Sequence, residues 1–560
     1  MTAETRRTVL QHAVALDAIV IAVGIGYLIP GSAGVLFAAF LLAVAASAWN
    51  GGDEVGLAAT AYSVIALALF FPGAIDANTL LAFAGTGAVV STVARIARRL
   101  QKQEEPEVVA AAPAAVIPAA DRAALPFAVG LPLLVVTLYT NVSDLLMYKF
   151  PIPSILQPMI LLLVVAVWRY RKIVRPLTAM VHPIVVIMTV YALVVFSTSI
   201  WAKDAALVDA RLSEVVKSVV IVVVAASLTA SWTSLKRALT ALVAAATVLG
   251  GMSVVQIATG RFFEIFGGLI EPQTGNIYGE LALPRASGPP VSDPNFYARI
   301  LLIVIPVGVG LALAARRRWL TIAYGAATAI IAAGTLATYS RGAMVAVALM
   351  TGLLLIAMRV RAKQVGMAAI AGVIVLLLMP QTLRARFLTI ESVLPSKNAD
   401  LNQDSAVEKR KILVKAGMLM FEEHPLFGVG AGHYGRYYLP YANRVGSTAT
   451  DFHDVGGREF AHGFYVELAC ETGIVGLLAL CSAFLAALVT AFRANRELLR
   501  RGERGRAMIA AGLGVAIAGY MLASLALHES YLRYMALYFG FVIAVARLAR
   551  ERLVEPPQPV

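Results

Sequence analysis

Long, continuously apolar stretches separated by short polar turns set the reading of this chain. Runs such as IVIAVGIGYLI, MILLLVVAVW and IVVVAASL recur from Ala13 to Ala546. Each stretch, roughly 17 to 25 residues long, can cross about 30 Å of hydrocarbon as a helix. The pattern predicts about sixteen such spans. The runs do not alternate by twos, as barrel strands facing lipid and lumen in turn must, so the expected fold is an all-α polytopic membrane protein. Composition agrees. A chain of 560 residues with 59% hydrophobic and 14% charged side chains, and a mean hydropathy of +0.78, has too little polar surface to dissolve.

Charge then orients the spans. The formal net charge is +14, but the excess does not point to nucleic acid, because it sorts by loop. Basic clusters stand at Arg6 and Arg7, 95–102, 169–175, Lys236 and Arg237, 316–318, 359–363, 493–506 and 547–552. An even number of spans between successive clusters places all of them, and both termini, on the cytoplasmic side. The N-terminal MTAETRR with its apolar sequel reads as a first anchor, since its core is too long for a signal peptide and no small-residue cleavage site follows. Cys470 and Cys481 fall within one span and suggest neither a disulfide framework nor a thiolate metal site.

A Pro-, Ala- and Glu-rich segment, QKQEEPEVVAAAPAAVIPAADRAA at 101–124, has no helical stripe and is expected to be a cytoplasmic linker. It divides an N-terminal bundle at 1–99, with about four spans, from a main domain at 125–560 with about twelve. Asp17 is the one ionisable residue deep in the first span. An accessory bundle without chemistry is the expected reading, with a proton relay through Asp17 as the alternative.

Polar sequence on the outer side collects in two places, 260–290 and a large periplasmic loop at 381–462. Such long loops in a compact membrane domain are usually functional. Within the second, SAVEKRKILVKAGMLMFEEHP sets Val407, Ile412, Val414, Met418 and Phe421 near helical spacing, ending at Pro425. GVGAGHYGRYYLPY follows, bringing Tyr434 and Arg436 beside glycines, a composition suited to sugar rings or to headgroup anchoring. His424, His433, His453 and His462 all lie in or at the end of this loop. None has metal-ligand spacing, nor do Asp451, Asp454 and Glu459 complete a ligand pattern, so no metal is expected.

His462 stands apart, because the polar loop ends there and an apolar helix begins, in EFAHGFYVELACETGIVG. An imidazole at that boundary is a ready proton acceptor. Two arginines on the same outer side are equally out of place: Arg285 in LPRASGPPVSDPNFYA and Arg341 in ATYSRGAMVAVALM. Snorkelling to lipid phosphates explains many such arginines. Two of them beside glycines also suit a pyrophosphate or phosphate diester, which guanidinium grips bidentately.

Taken in order, RASGPPVSDPNFYA, TYSRGAMVA, EKRKILVKAGMLMFEEHPLFGVGAGHYG and AHGFYVELACETGIVGLL resemble the O-antigen ligase and polymerase superfamily over roughly 181–476. Arg285 with Gly288, Pro294 and Asn295 matches its first motif, and Arg341 its second. Arg410, Pro425, Leu426, Gly428 and Gly430 match the third; His462, Gly473 and Gly476 match the fourth. The chain departs at Gly463, where the family commonly has Asn or Ser, and its front block has no counterpart there.

The resemblance implies a metal-independent glycosyltransferase of the bacterial inner membrane, without cofactors. A saccharide on an undecaprenyl pyrophosphate carrier would pass to an acceptor hydroxyl at the periplasmic face. His462 would serve as general base, and Arg285, Arg341 and Arg410 would hold the pyrophosphate. Glu467, Glu471, Arg436 and Tyr434 are candidate supports; the two glutamates would raise the basicity of His462 or simply pair with cations in the bundle. With lipid A core as acceptor the protein would be a ligase of lipopolysaccharide synthesis. With a second lipid-linked repeat it would be a polymerase of O-antigen or exopolysaccharide. The ligase-type pattern of the histidine and its Gly-x-x-Gly tail favours the first. An anion transporter would need internal repeats and ionisable groups deep in the bilayer. A non-catalytic assembly partner would tolerate loss of His462.

Overall fold

The computed structural model describes residues 59–61, 63–64, 126–149, 154–174, 176–260, 285–288, 293–358, 405–445, 460–526 and 532–551. The expected linker, nearly all of the front bundle with Asp17, and the carboxylates at 451–459 fall outside these residues. Among the described residues every regular element is helical and none is a strand.

The helices in chain order are α1 (Leu131–Thr140), α2 (Leu156–Arg169), α3 (Pro183–Ser197), α4 (Ala205–Leu228), α5 (Trp232–Thr259), α6 (Pro294–Leu302) and α7 (Ile305–Ala314). They continue with α8 (Arg318–Ala337), α9 (Arg341–Ala357), α10 (Ser405–Glu423), α11 (Tyr434–Arg444), α12 (Phe464–Arg500), α13 (Arg504–Ala523) and α14 (Leu532–Arg550). Local chemistry starts many of them. The Asp204 carboxylate accepts from Ala206 N–H at 3.0 Å to begin α4. Ser231 and Ser234 form a capping box on α5, and Asp293 ahead of Pro294 accepts from the Asn295 and Phe296 amides to begin α6; each cap satisfies amides that lack a helical partner.

Among the described residues, seven segments are long and apolar enough to cross a membrane: Pro183–Ile200, Trp232–Thr259, Pro294–Ala314, Arg318–Ala337, Phe464–Arg500, Arg504–Ala523 and Leu532–Arg550. The sixteen expected spans extend over residues outside the described ones as well. Three apolar stretches, in 126–140, 156–169 and 341–357, form shorter helices. α4 is long enough but carries Arg211, Glu214 and Lys217 in its first half. Other expected spans lie outside the described residues. Burial separates the layers: the span of α14 is 83% buried and that of α8 only 22%. α14 is therefore central and α8 peripheral, with Ile322 and Trp319 outward where hydrocarbon is the natural neighbour. Around α14, Phe484 stacks edge-on against Phe464 and Phe539 and parallel to Tyr520, tying α12 and α13 to it.

Two spans are broken, and each break is satisfied by protein. Pro306 cannot donate within the Pro294–Ala314 span, which parts between α6 and α7. Tyr139 on α1 donates its hydroxyl to the Ile300 carbonyl, and Tyr538 on α14 donates to the Ile303 carbonyl at 3.2 Å. Gly473 interrupts α12 with φ 67° and ψ −171°. The loop after α10 closes this gap. Val429 N–H and Gly430 N–H donate to the carbonyls of Cys470 and Glu471 at 2.8 and 3.0 Å, while Ile474 N–H donates back to the Pro425 carbonyl at 2.8 Å. Irregular backbone within a membrane protein persists where such partners are supplied.

The two ends of the bundle differ in chemistry. At one end Lys236, Arg316 and Arg506 crowd together, Arg506 lies over the Trp232 ring at 5.2 Å, and Arg547 donates to the last carbonyls of the α4 region, Ala226 and Thr229. These are the basic turns of the sequence. At the other end sit the α3–α4 turn, the N-termini of α6, α9 and α12, the C-termini of α8 and α13, and the helices of the long loop.

α10 forms where its pattern places it, but the buried face is rotated from the expected stripe. Leu413, Ala416 and Met420 are fully buried and Met418 is 52% exposed. Gly417 lets α12 approach at Val466, and Tyr434 and Tyr438 fill the space beside Leu413. The face that packs is set by these partners on α11 and α12, which helical spacing within α10 cannot specify. A clasp joins the ends of α10 and α11: Tyr441 and Arg444 donate to the two oxygens of Glu423, each at 2.6 Å. These bonds, from Tyr441 first and then Arg444, hold the Glu423 carboxyl below its ordinary range.

Candidate active site

Arg285 begins a short extended piece that runs along the end of α8, where Ala286 N–H donates to the Ala337 carbonyl at 3.1 Å. Its guanidinium bridges two helix ends. Nε donates to the Thr338 carbonyl at 2.9 Å, at the C-terminus of α8, and Nη2 donates to Asn295 Oδ1 at 2.8 Å, in the first turn of α6. A cation at a helix C-terminus is favoured by the exposed carbonyls. Arg285 is thus pre-oriented, with its plane fixed by the protein.

Two residues beyond Thr338, the chain turns into α9. Tyr339 is held at φ 52°, an uncommon conformation for a bulky residue that the surrounding structure must maintain. Ser340 caps α9 by accepting from Ala343 N–H at 3.4 Å, and Arg341, half-buried, is its first helical residue. Amides and guanidinium at one helix N-terminus form an environment that favours an anion.

These elements border a cleft of about 290 Å³, mouth included, lined by Asn295, Arg299, Leu302, Ser340, Gly342, Ala343, Arg410 and Ala523. Arg410 comes from α10. The structure thereby brings Arg410 together with Asn295, the partner of Arg285, and with Ser340 and Gly342, which flank Arg341. Arg299 was not singled out from the sequence. It is 2% exposed, and the signal for it was present: a lone cation inside the apolar run FYARILLIVIP, which is unusual in a span without a specific role.

His462 is half-buried immediately before Gly463, the N-cap of α12, and has φ 49°. Its chain leans on the end of α13. A Cβ on Gly463 would sit 3.7 Å from the Leu525 carbonyl, and the Tyr465 hydroxyl donates to the Met521 carbonyl at 3.0 Å. Ala523, on that same end of α13, lines the cleft. The histidine and the arginines therefore share one end of the bundle.

The four candidate supports are placed around the loop. Glu467, fully buried, pairs with Arg211 of α4 at 3.1 Å. Glu471 accepts from Gly432 N–H at 2.8 Å and from Tyr434 N–H at 3.0 Å, so it satisfies the open N-terminus of α11. Tyr434 is buried and donates to the Leu413 carbonyl at 2.7 Å, tying α11 to α10. Arg436 is half-exposed and meets Asp204 at 3.4 Å. His433 is fully buried: its Nε2 accepts from Asp204 N–H at 3.1 Å, which leaves Nδ1–H to donate to the Ala431 carbonyl at 2.9 Å. With Trp201 Nε1–H donating to the Gly428 carbonyl, these contacts dock the glycine-rich loop onto the α3–α4 turn. Among the described residues, no three or more His, Cys, Asp or Glu side chains gather as a metal-ion site.

Residues 326–481 match the family model described as O-antigen ligase. The matched segment runs from α8 through the break in α12 and contains Arg341, Arg410 and His462; Arg285 and Arg299 precede it. No curated protein matches the chain.

Proposed function

We propose, from the O-antigen ligase match and the gathering of cations at one end of a multi-pass helical bundle, that the chain transfers a saccharide from an undecaprenyl pyrophosphate carrier to an acceptor hydroxyl. The acceptor oxygen attacks the anomeric carbon, the bond from that carbon to the pyrophosphate oxygen breaks, and the acceptor proton goes to the His462 imidazole. General-base catalysis of this kind contributes about 10² to 10⁴ in rate. The departing pyrophosphate is an anion that needs positive charge, not a proton. Arg285, Arg341 and Arg410 supply it, with no metal required, aided by the amide N–H groups that open α9.

The observation that carries this reading is the cleft itself. Arg410 faces Asn295 and the first turn of α9 across it, and its α13 wall continues to the backbone beside His462. In this reading 125–560 is the transferase unit and 1–99 an accessory bundle joined by the 100–124 linker. The His462 end faces the periplasm, and the basic turns and both termini face the cytoplasm of an inner membrane. Lipid A core is the favoured acceptor, in a ligase; a second lipid-linked repeat is the alternative, in a polymerase.

Purified protein offered an undecaprenyl-linked saccharide with either acceptor separates the two by product. His462→Ala should lower turnover by about 10² or more, and Arg341→Ala should also reduce it. Unchanged turnover in both variants would end the catalytic assignment.

A further inference from the structure

Arg299 lies more than one turn into α6 and is 2% exposed, deeper than an arginine reaching for headgroups settles. Two rings fix its plane, with the guanidinium carbon 5.0 Å from the Phe296 centroid and 4.7 Å from that of Tyr520. A hydrogen bond to the end of α13 holds its edge: Nη1 donates to Ser524 Oγ at 3.1 Å. Tyr520 and Ser524 are four apart at the end of α13, so both contacts grip the same helix end. Ser524 then opens the tight turn Ser524–Ala526. The carbonyl of the next residue, Leu525, stands 3.7 Å from where a Cβ on Gly463 would sit, and one turn back the Met521 carbonyl takes the Tyr465 hydroxyl. The chain on either side of Phe464 therefore adjoins the piece of chain that Arg299 holds. His462 needs such support, since its φ of 49° is a conformation that non-glycine residues keep only when their surroundings impose it.

We propose that Arg299 is a positioning residue: its guanidinium fixes the end of α13 through Ser524, and that end fixes the His462–Gly463 backbone at the wall of the arginine-lined cleft. The proposal rests on the functional reading above, in which His462 takes the acceptor proton. It differs from a direct phosphate-binding role for Arg299, which the cleft also makes geometrically accessible. Positioning acts on the rate of the bound complex, whereas phosphate binding acts on donor affinity.

The full-length chain in nanodiscs, with an undecaprenyl-linked saccharide as donor, separates them. Arg299→Gln and Ser524→Ala should each lower kcat by roughly 10- to 100-fold with donor KM within about twofold of wild type, the loss expected when a reacting group is slightly misplaced. The double variant should be no worse than the more damaged single, because both remove one contact. Arg299→Lys keeps the charge but loses the planar, stacked geometry, and should resemble Arg299→Gln. Amide hydrogen exchange over 460–466 should quicken in both single variants.

A tenfold rise in donor KM with kcat unchanged would assign Arg299 to donor binding and overturn the proposal. So would additive losses in the double variant, or exchange over 460–466 that stays at the wild-type rate. If Arg299→Gln does not fold, Ser524→Ala alone decides. If wild type transfers no saccharide, the functional reading fails, and the exchange measurement still tests whether Arg299 and Ser524 hold this backbone.

Discussion

Gly473 and Leu426 approach so closely that a Cβ on Gly473 would overlap the Leu426 carbonyl. Gly428 is packed in the same way against the backbone of Glu471. The two glycines, far apart in sequence, are the two halves of one joint in which a loop strand completes a broken transmembrane helix.

Substituting Gly473 by Ala should therefore be among the most damaging single-methyl changes in the chain. The residue sits at φ 67° and ψ −171°, a region essentially confined to glycine where a Cβ costs about 1–3 kcal/mol by itself, and the overlap with Leu426 adds to it. The expected result is a fall in thermal midpoint of several degrees in detergent, together with faster hydrogen exchange at Val429 and Gly430. Gly463→Ala, which meets only ordinary contacts, should leave both near wild type.

Breaking the Arg211–Glu467 pair should destabilise the fold more than it changes the chemistry. Glu467 is fully buried, while Arg211 is partly exposed and also reaches Glu214 at 3.5 Å; removing Arg211 strands the buried carboxylate, which costs up to about 3–5 kcal/mol, and removing the Glu467 charge costs less. Glu467→Gln and Arg211→Met should each lower the unfolding midpoint, and the double variant should lose less than the sum of the two. The pH dependence of turnover in the folded fraction of Glu467→Gln should match wild type; a displaced profile would show that Glu467 instead tunes His462.

Asn295 offers a test of how Arg285 is aimed. Its Oδ1 fixes one edge of the guanidinium, so Asn295→Leu should leave Arg285 charged but loosely directed. Donor KM should rise by roughly 10- to 150-fold, the equivalent of one lost hydrogen bond to a charged group, with a smaller effect on kcat. A reduced kcat at unchanged KM would move Arg285 out of the ground-state binding site.

His182 makes stability depend on pH at the end opposite the cleft. Burial, and then the charge of Arg550, lower its pKa from 6.5 to about 4, while its Nδ1 accepts from Ile184 N–H to cap α3. The folded state thus prefers the neutral ring, and the unfolded chain takes up the proton first. Stability should be level above about pH 6.5 and fall between pH 6.5 and pH 4, by up to about 3 kcal/mol. His182→Asn retains a capping acceptor without titrating. Thermal midpoints of that variant should lose this slope, and an unaltered slope would point to other groups.

The helical, membrane-embedded character of the chain was legible in its apolar runs, because hydrocarbon forces backbone hydrogen bonds inward whatever the tertiary fold. The break at Pro306 was legible in principle as well. The shifted face of α10 was not, since neighbouring side chains choose which stripe is covered. Glu467 and Glu471, four apart, look like one pair from the sequence, yet one meets Arg211 and the other two loop amides. Partners more than thirty positions away decide this, and a single sequence carries no trace of them. Arg285 and Arg341 stood out as charges at apolar boundaries and Arg410 through the family resemblance, whereas Arg299, a lone cation inside an apolar run, was passed over although its signal was there.

Tyr139 of α1 and Tyr538 of α14 both reach the Pro294–Ala314 span and hold two carbonyls at the end of α6, just before its break. Sliding that span by a turn along the bilayer normal would strand two phenols and two carbonyls in hydrocarbon at once. The span is thereby a fixed post whose depth is locked, and no piston stroke of this helix can carry Asn295 and Arg299 along the bilayer normal.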